Sequence, residues 1–442
     1  MSQDSPRIGI WGLGKDGEAN AQFLRERQPD TAITLLSDNP KEKAPESLAD
    51  MPLLTGDAAR EAISTGAFDV IYKSPGIPMV RPEIAQAQSA GTLFTSGTNL
   101  WFETAQPPRT IAVTGTKGKS TTSMLIHHIA ERAGFRSKLL GNGGVPALSQ
   151  KPGEDITVLE LSSYQCADLL HPPAIAVFTN LFPEHVPWHG TLDDYYEAKL
   201  RLAHLDPATK VFANARSEEL VKRLRERADV HWFNGDSGYY ERDGELMFDG
   251  QRVEVIGNVP RGAHNIGNLA AAAAAALAAG LIENPLTIDL GAYSDLPHRL
   301  QQFTLANGVI AIDDSISTIP EATIAALALF PDRPIHAILG GSDRGQTYGA
   351  LARCLKERGQ IRAYLLPHTG ARIAQDMEAQ APGIPVTQCA DLEIAMAEIK
   401  AVLQPGDVIL LSPAAPSHAQ YANFEERGRH FQTLLQTVVE TV

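Results

Sequence analysis

Lys119 stands between Gly118 and Ser120, and Thr114-Gly115-Thr116-Lys117 precede them: a cation set in a glycine turn. The β-branched run Thr110-Ile111-Ala112-Val113 before the turn reads as a buried strand, and apolar residues from Ser120 to Arg132 recur at helical spacing up to Gly134. A strand, a glycine loop and a helix make an anion cradle. Backbone N–H groups and the helix N-terminus point at phosphate oxygens, Lys119 adds charge, and Ser120 can reach a Mg²⁺ ion. Gly115, Thr116, Lys117, Gly118, Lys119, Ser120 and Thr121 are therefore read as the site of a nucleoside triphosphate. The strict pattern places a glycine where this chain has Val113, so the loop is a relative of that pattern. The competing reading is a structural turn.

Other reactive side chains fall at the ends of strands near this loop. Asp155 to Leu161 is a strand that carries Glu160 near its end, and Ala174 to Asn180 leads to Glu184-His185. In a parallel sheet both ends lie on the phosphate-loop edge, where Glu160 and His185 can ligate metal. His171, His189 and His204 are equally available by type. Lys199 sits in the amphipathic helix Asp193 to Leu202, where its local pattern reads as a solvated face. Asn265 and Asn268 share a face at the start of an alanine-rich helix closed by Gly280, and their amides can contact a ligand.

Near the N-terminus, the strand Arg7 to Trp11 is followed by Gly12-Leu13-Gly14-Lys15-Asp16-Gly17 and a helix to Arg27. A second strand ends at Asp38, about twenty residues on, which completes the dinucleotide fingerprint. Taken alone this suggests NAD. Physically it holds any diphosphate, and Asp38 can serve any nucleotide hydroxyl. The strand Asp69 to Tyr72 runs into Lys73-Ser74-Pro75-Gly76-Ile77, a strand-end loop of the kind that holds ligands in open α/β sheets. Gln106 to Arg109 reads as a linker.

The elements that position these groups alternate strand and helix along the chain. The fold class is α/β in three domains: a Rossmann-like unit over 1–108, a central phosphate-loop unit over 109–297 and a second Rossmann-like unit over 298–442. The last opens on Val309 to Asp313 and continues through strands near 335, 361, 386 and 408 as a parallel sheet, with a final helix carrying Phe424 and Arg427. The chain has 442 residues, 43% hydrophobic and 20% charged, with net charge −14, which argues against a nucleic-acid surface. Three dispersed cysteines, Cys166, Cys354 and Cys389, fit a reducing cytoplasm. No apolar stretch is long enough to insert in a membrane, and a monomer is expected.

Together these motifs resemble the Mur ligase family, in its glutamate-adding branch, over nearly the whole chain. Thr114 to Thr121 is similar to the family's ATP loop, with Lys117 in place of its usual asparagine. Gly141-Asn142-Gly143-Gly144, Glu160-Leu161-Ser162-Ser163-Tyr164-Gln165, Thr179-Asn180 to Glu184-His185, and Ser412-Pro413 to Phe424-Glu425-Glu426-Arg427-Gly428 follow in the family's order. The resemblance implies ATP with Mg²⁺, and UDP-N-acetylmuramoyl-L-alanine and glutamate as substrates. It implies that Lys119, His185 and a carbamylated Lys199 are catalytic, with Ser120, Glu160, His185 and Lys199 around the metal. Asn265, Asn268, Arg299 and Asp314 join the ATP site. The glycine fingerprint becomes a uridine diphosphate site formed by Gly14, Lys15, Asp16, Asp38, Ser74, Gly76 and Asn142. Thr318, Arg344, Ser417 and Phe424 match the amino-acid side.

The third domain departs from the D-glutamate members. They read Asp-Ser-Lys-Ala-Thr-Asn where this chain has Asp314-Ser315-Ile316-Ser317-Thr318-Ile319. A cation and an amide are lost beside a pocket for a dicarboxylate, where charge-assisted bonds are about twice as strong as neutral ones. The expected acceptor is L-glutamate. The alternatives are D-glutamate addition, a folylpolyglutamate synthetase-like ligase and an NAD-dependent dehydrogenase.

Overall fold

The protein's structure, a computed structural model, describes residues 6–105, 107, 109–142, 145–260, 262–293, 297–343, 345–417 and 420–439. It divides into two compact units, Met1–Tyr293 and Ser294–Val442. Four fully buried residues, Ile8–Trp11, form the middle strand of a five-stranded sheet. Its order is Leu53–Thr55, Ile33–Ser37, Ile8–Trp11, Val70–Lys73, Leu93–Thr95, and every pairing is parallel. The strand order reverses between Ile8–Trp11 and Val70–Lys73, which is where an open α/β sheet leaves its binding crevice.

The second sheet in the same unit runs Val230–Phe233, Lys210–Asn214, Ile175–Phe178, Thr110–Thr114, Ile156–Glu160, Ser137–Gly141, again all parallel. Alternation along Thr110–Thr114 separates its two faces. Ile111 and Val113 pack with Leu125, Ile126 and Ile129 of helix Lys119–Arg132 and with the alanines of helix Ala263–Ala278. Ala112 packs on the opposite face with Leu159, Tyr195 and Leu200. Three strands here were not legible: Ser137–Gly141, Lys210–Asn214 and Val230–Phe233. Each carries polar residues (Lys138, Asn214, His231) that interrupt the pattern. Asp243-Gly244 and Asp249-Gly250 take positive φ in pairs (53° and 78°, 45° and 85°), the twist that tight hairpins require, and they join Tyr239–Arg242, Glu245–Phe248 and Gln251–Arg252.

In the second unit the sheet order is Gln301–Thr304, Ile310–Asp313, Val408–Leu411, Ile335–Gly341, Ile361–His368, Val386–Gln388. The expected all-parallel sheet opening at Val309 is corrected here. Gln301–Thr304 lies antiparallel on Ile310–Asp313, and its two glutamines hid it from a hydrophobic pattern. Helix Phe424–Val439 buries Phe431 and Leu435 against Val309, Ile338 and Leu411. Among the described residues no helix is long and apolar enough to cross a membrane.

Candidate active site

The phosphate loop is fixed by geometry that side chains would break. Gly115 has φ +143° and Gly118, at the N-terminus of helix Lys119–Arg132, has φ +85°. A Cβ on Gly115 would lie 2.0 Å from Thr179 Oγ1, and one on Gly118 would lie 2.5 Å from Asn268 Oδ1. Neighbours hold the loop from both sides. Lys117 N donates to Asn180 Oδ1 at 2.8 Å, while Thr179 Oγ1 and Asn180 Nδ2 donate to Lys117 O at 2.6 and 2.9 Å. Thr116 Oγ1 accepts from Phe182 N and lies 2.9 Å from Tyr195 OH. Lys119 Nζ folds back to donate to Thr116 O at 3.0 Å, so its charge lies over the loop. Asn268, beside Gly118, donates to Asn265 Oδ1 at 3.2 Å, so the two amides of the alanine helix are linked at this edge.

Glu160 pairs with Val113 across the strands, one position before the loop begins. It is 2% exposed, and its Oε1 accepts from Asn142 Nδ2 at 3.0 Å. Asn142, expected among the UDP-substrate contacts, thus sits on Glu160. His185 has φ +56°, and its Nδ1 lies 2.9 Å from Tyr164 OH. Burial lowers its pKa, and Lys199, Lys117 and Lys119 act in the same direction against Glu184, so the imidazole is neutral at pH 7. The rival histidines have other partners: His189 bonds Ser163 Oγ at 3.0 Å with its pKa driven to about 4 by burial, and His171 lies 3.2 Å from Glu103.

The solvated-face reading of Lys199 is overturned. It is 2% exposed, and its Nζ donates to Gly115 O at 2.8 Å beneath the loop. Burial and then Lys119 lower its pKa to about 7. It lies four residues after buried Tyr195 and three before buried Leu202, so it belongs to the inward stripe of helix Leu192–His204. Neighbouring Asp193, Asp194 and Glu197 had disguised that stripe.

In the first sheet the crevice holds Gly14, Lys15 and Asp16 at the start of helix Lys15–Arg27, with Ser74 and Gly76 opposite. Burial raises the Asp16 pKa. Ser74 Oγ donates to Gly12 O at 2.8 Å. Asp38 is held by Arg81 at 2.6 and 3.1 Å, and that guanidinium lies 4.6 Å from the Trp11 ring centroid. Arg81 is a binding candidate that sequence reasoning missed.

In the second unit, three adjacent parallel strands deliver the loops carrying Asp314–Ile319, Gly341–Ser342 and Ser412–Ser417 to one edge. Gln346 Nε2 donates to Thr318 O at 3.1 Å, and Ser342 N donates to Pro416 O at 2.7 Å. Ser315 Oγ donates to the carbonyl of half-buried Phe424 at 2.8 Å. Ser417 is buried; Ile316, Thr318 and Ile319 are half-buried. Arg299 is half-buried on the loop before this sheet. Asp314 is 2% exposed and accepts from Ser317 Oγ, Ser412 Oγ and Leu300 N, yet burial still pushes its pKa up to about 6. Arg344 lies outside the described residues. Arg427, 1% exposed, ties Ser315 to Ala415 and was not expected in the site.

Among the described residues no group of three or more His, Cys, Asp or Glu is gathered to hold a metal. Mg²⁺ needs less, because it is commonly held by one or two carboxylates together with substrate phosphates. Glu160 and the Ser120 hydroxyl are oxygen donors of that kind, and His185 would add a nitrogen. Lys199 as an ammonium does not fit that pattern.

Known proteins resemble this chain over nearly its whole length. Residues 6–95 match the model of the Mur ligase MurD-like N-terminal domain, 113–276 the Mur ligase middle domain, and 298–415 the Mur ligase glutamate ligase domain. A protein of Xanthomonas euvesicatoria named UDP-N-acetylmuramoyl-L-alanine–L-glutamate ligase is 37% identical over 97% of this chain and 94% of its own length. One of the same name from Salinispora tropica is 34% identical over 96% of both. Among solved structures, the UDP-N-acetylmuramate-alanine ligase of Thermotoga maritima aligns with TM-score 0.60 at 18% identity, covering 98% of this chain and 99% of that one. A bifunctional folylpolyglutamate synthase/dihydrofolate synthase of Yersinia pestis aligns with TM-score 0.54 at 16% identity over 77% of this chain and 93% of that one. These two likenesses concern the fold alone.

Proposed function

The chain belongs to the Mur ligase family, and on that premise we propose that it joins L-glutamate to UDP-N-acetylmuramoyl-L-alanine while converting ATP to ADP and phosphate. The observation that carries this reading is the convergence of the phosphate loop, Glu160, His185 and buried Lys199 on one sheet edge. The names of the full-length relatives support the acceptor, as does the exchange of the D-glutamate members' lysine and asparagine for Ile316 and Ile319.

The reaction has two steps. A carboxylate oxygen of the alanyl group attacks the γ-phosphorus, the bond to ADP breaks, and an acyl phosphate forms. The amine of glutamate then adds to the acyl carbon, loses a proton, and phosphate departs. Such chemistry is mostly positioning and charge neutralisation. Lys119 and the loop N–H groups bind the phosphates. Mg²⁺ would be held by Ser120, Glu160 and His185, and would supply charge to the transferring phosphoryl group. Lys199 would join that set as a carbamate, formed by adding CO₂ to its free amine with release of a proton. Residues 1–108, 109–297 and 298–442 divide the work as UDP-substrate, ATP and amino-acid domains, with Thr318, Arg344, Ser417 and Phe424 in the last.

The test is ADP release that requires UDP-N-acetylmuramoyl-L-alanine, glutamate and ATP together. Release without the UDP substrate, or NADH oxidation instead, would overturn the reading. The first domain should bind UDP and not NAD by calorimetry. Asp38→Asn should raise the KM for the UDP substrate about tenfold, the scale of a lost charge-assisted hydrogen bond, with the KM for ATP unchanged. Binding of NAD without UDP would return this domain to the dehydrogenase reading.

A further inference from the structure

Lys73 ends strand Val70–Lys73, immediately before Ser74-Pro75-Gly76, and is 1% exposed. Its ammonium is ion-paired with Asp168, which follows helix Ser163–Ala167 beside the second sheet and whose side chain is 8% exposed. Asn99 spans the same seam, donating to Asp168 O and accepting from Leu170 N, both at 2.9 Å. The Trp188 ring centroid lies 5.8 Å from Lys73 Nζ, and Trp188 Nε1 donates to Gly76 O at 2.9 Å. Trp188 stacks on Tyr164 at 4.4 Å, and Tyr164 OH reaches His185 Nδ1. On the far side Ser74 N and Oγ donate to Trp11 O and Gly12 O at 2.7 and 2.8 Å. Contacts thus run from the first glycine loop through the Ser74–Gly76 backbone, Trp188 and Tyr164 to His185.

We propose that Lys73–Asp168 and Trp188–Gly76 form a two-point clamp. It sets the register of the nucleotide-sugar diphosphate, bound on the first sheet, relative to His185. This rests on reading that crevice as the UDP-substrate site. Lys73 and Trp188 are then positioning residues. A buried ion pair contributes little net stability, because desolvation offsets the attraction, but it joins at one geometry where an apolar pair would tolerate slip. The Trp188 N–H bond fixes a second point, so the Ser74–Gly76 loop can neither slide nor rotate on its neighbour.

Two variants separate positioning from structure. Trp188→Phe keeps the stacking and removes the N–H. The double variant Lys73→Met/Asp168→Leu removes both charges at similar volume, so neither is left buried alone. Both should keep Tm within a few degrees of the wild type. Both should raise the KM for UDP-N-acetylmuramoyl-L-alanine about five- to tenfold and leave the KM for ATP within about twofold, as expected from losing one or two such bonds. Single Lys73→Met should melt well below the double variant, which shows that the pair is made in solution. Unchanged KM in both variants, or equal rises for the two substrates, would overturn the clamp and leave a merely structural seam. A wild-type enzyme that neither binds nor turns over the UDP substrate would instead remove the underlying site assignment, and the clamp with it.

Discussion

Lys119→Ala should lose activity by about a thousandfold or more, the scale of removing a phosphate-neutralising cation from a phosphoryl-transfer site. The fold should be untouched. Lys119 is half-buried, and its ammonium donates to Thr116 O within its own loop, so its loss removes charge and little packing. The helix behind it is held by Leu125, Ile126 and Ile129, and the loop by Asn180 and Thr179, none of which depends on the lysine. Tm should therefore stay within a few degrees of the wild type while nucleotide binding weakens. ADP release near the wild-type rate would remove the phosphate loop from the reaction.

Lys199→Ala should be comparably inactive, for a different reason. An ammonium beside the loop would repel Mg²⁺, whereas a carbamate offers two oxygens to a hard cation. The buried amine has its pKa lowered to about 7, so near neutrality a large fraction is unprotonated and able to add CO₂. Above that pKa the free amine persists. As pH falls through it the amine takes a proton, the carbamate is lost, and activity should fall with it. A short carboxylate such as formate should restore part of the activity to Lys199→Ala, because the truncated side chain leaves room beside Gly115 for an anion. Full activity without rescue would leave Lys199 a packing residue.

The parts of this site that were legible are those whose signal is local. Gly118-Lys119-Ser120 after a β-branched run specifies strand, loop and helix within a few residues, and the structure places that helix at Lys119–Arg132. Lys199 was misjudged from its acidic neighbours, although Tyr195 and Leu202 on the same stripe carried the opposite signal. Other groups depend on partners that no spacing rule connects. Trp188 bonds Gly76 from 112 positions away, and Arg81 holds Asp38 from 43. The unrecognised strands, Gln301–Thr304 among them, are short, carry polar residues that break the pattern, and are held in place by their sheet neighbours.

The identity of the added amino acid tests the account most directly. Ile316 and Ile319 stand half-buried in the loop that leads from Asp314 to helix Pro320–Leu327, where the D-glutamate members of the family place a lysine and an asparagine. Without those two polar anchors the second carboxylate of a bound glutamate must find other partners, and its position relative to the attacking amine changes. The decisive measurement is kcat/KM for the two enantiomers of glutamate, with saturating UDP-N-acetylmuramoyl-L-alanine and ATP. The account predicts a preference for L-glutamate of at least about a hundredfold, as expected when a buried charged contact forms with one enantiomer only. A clear preference for D-glutamate would contradict it.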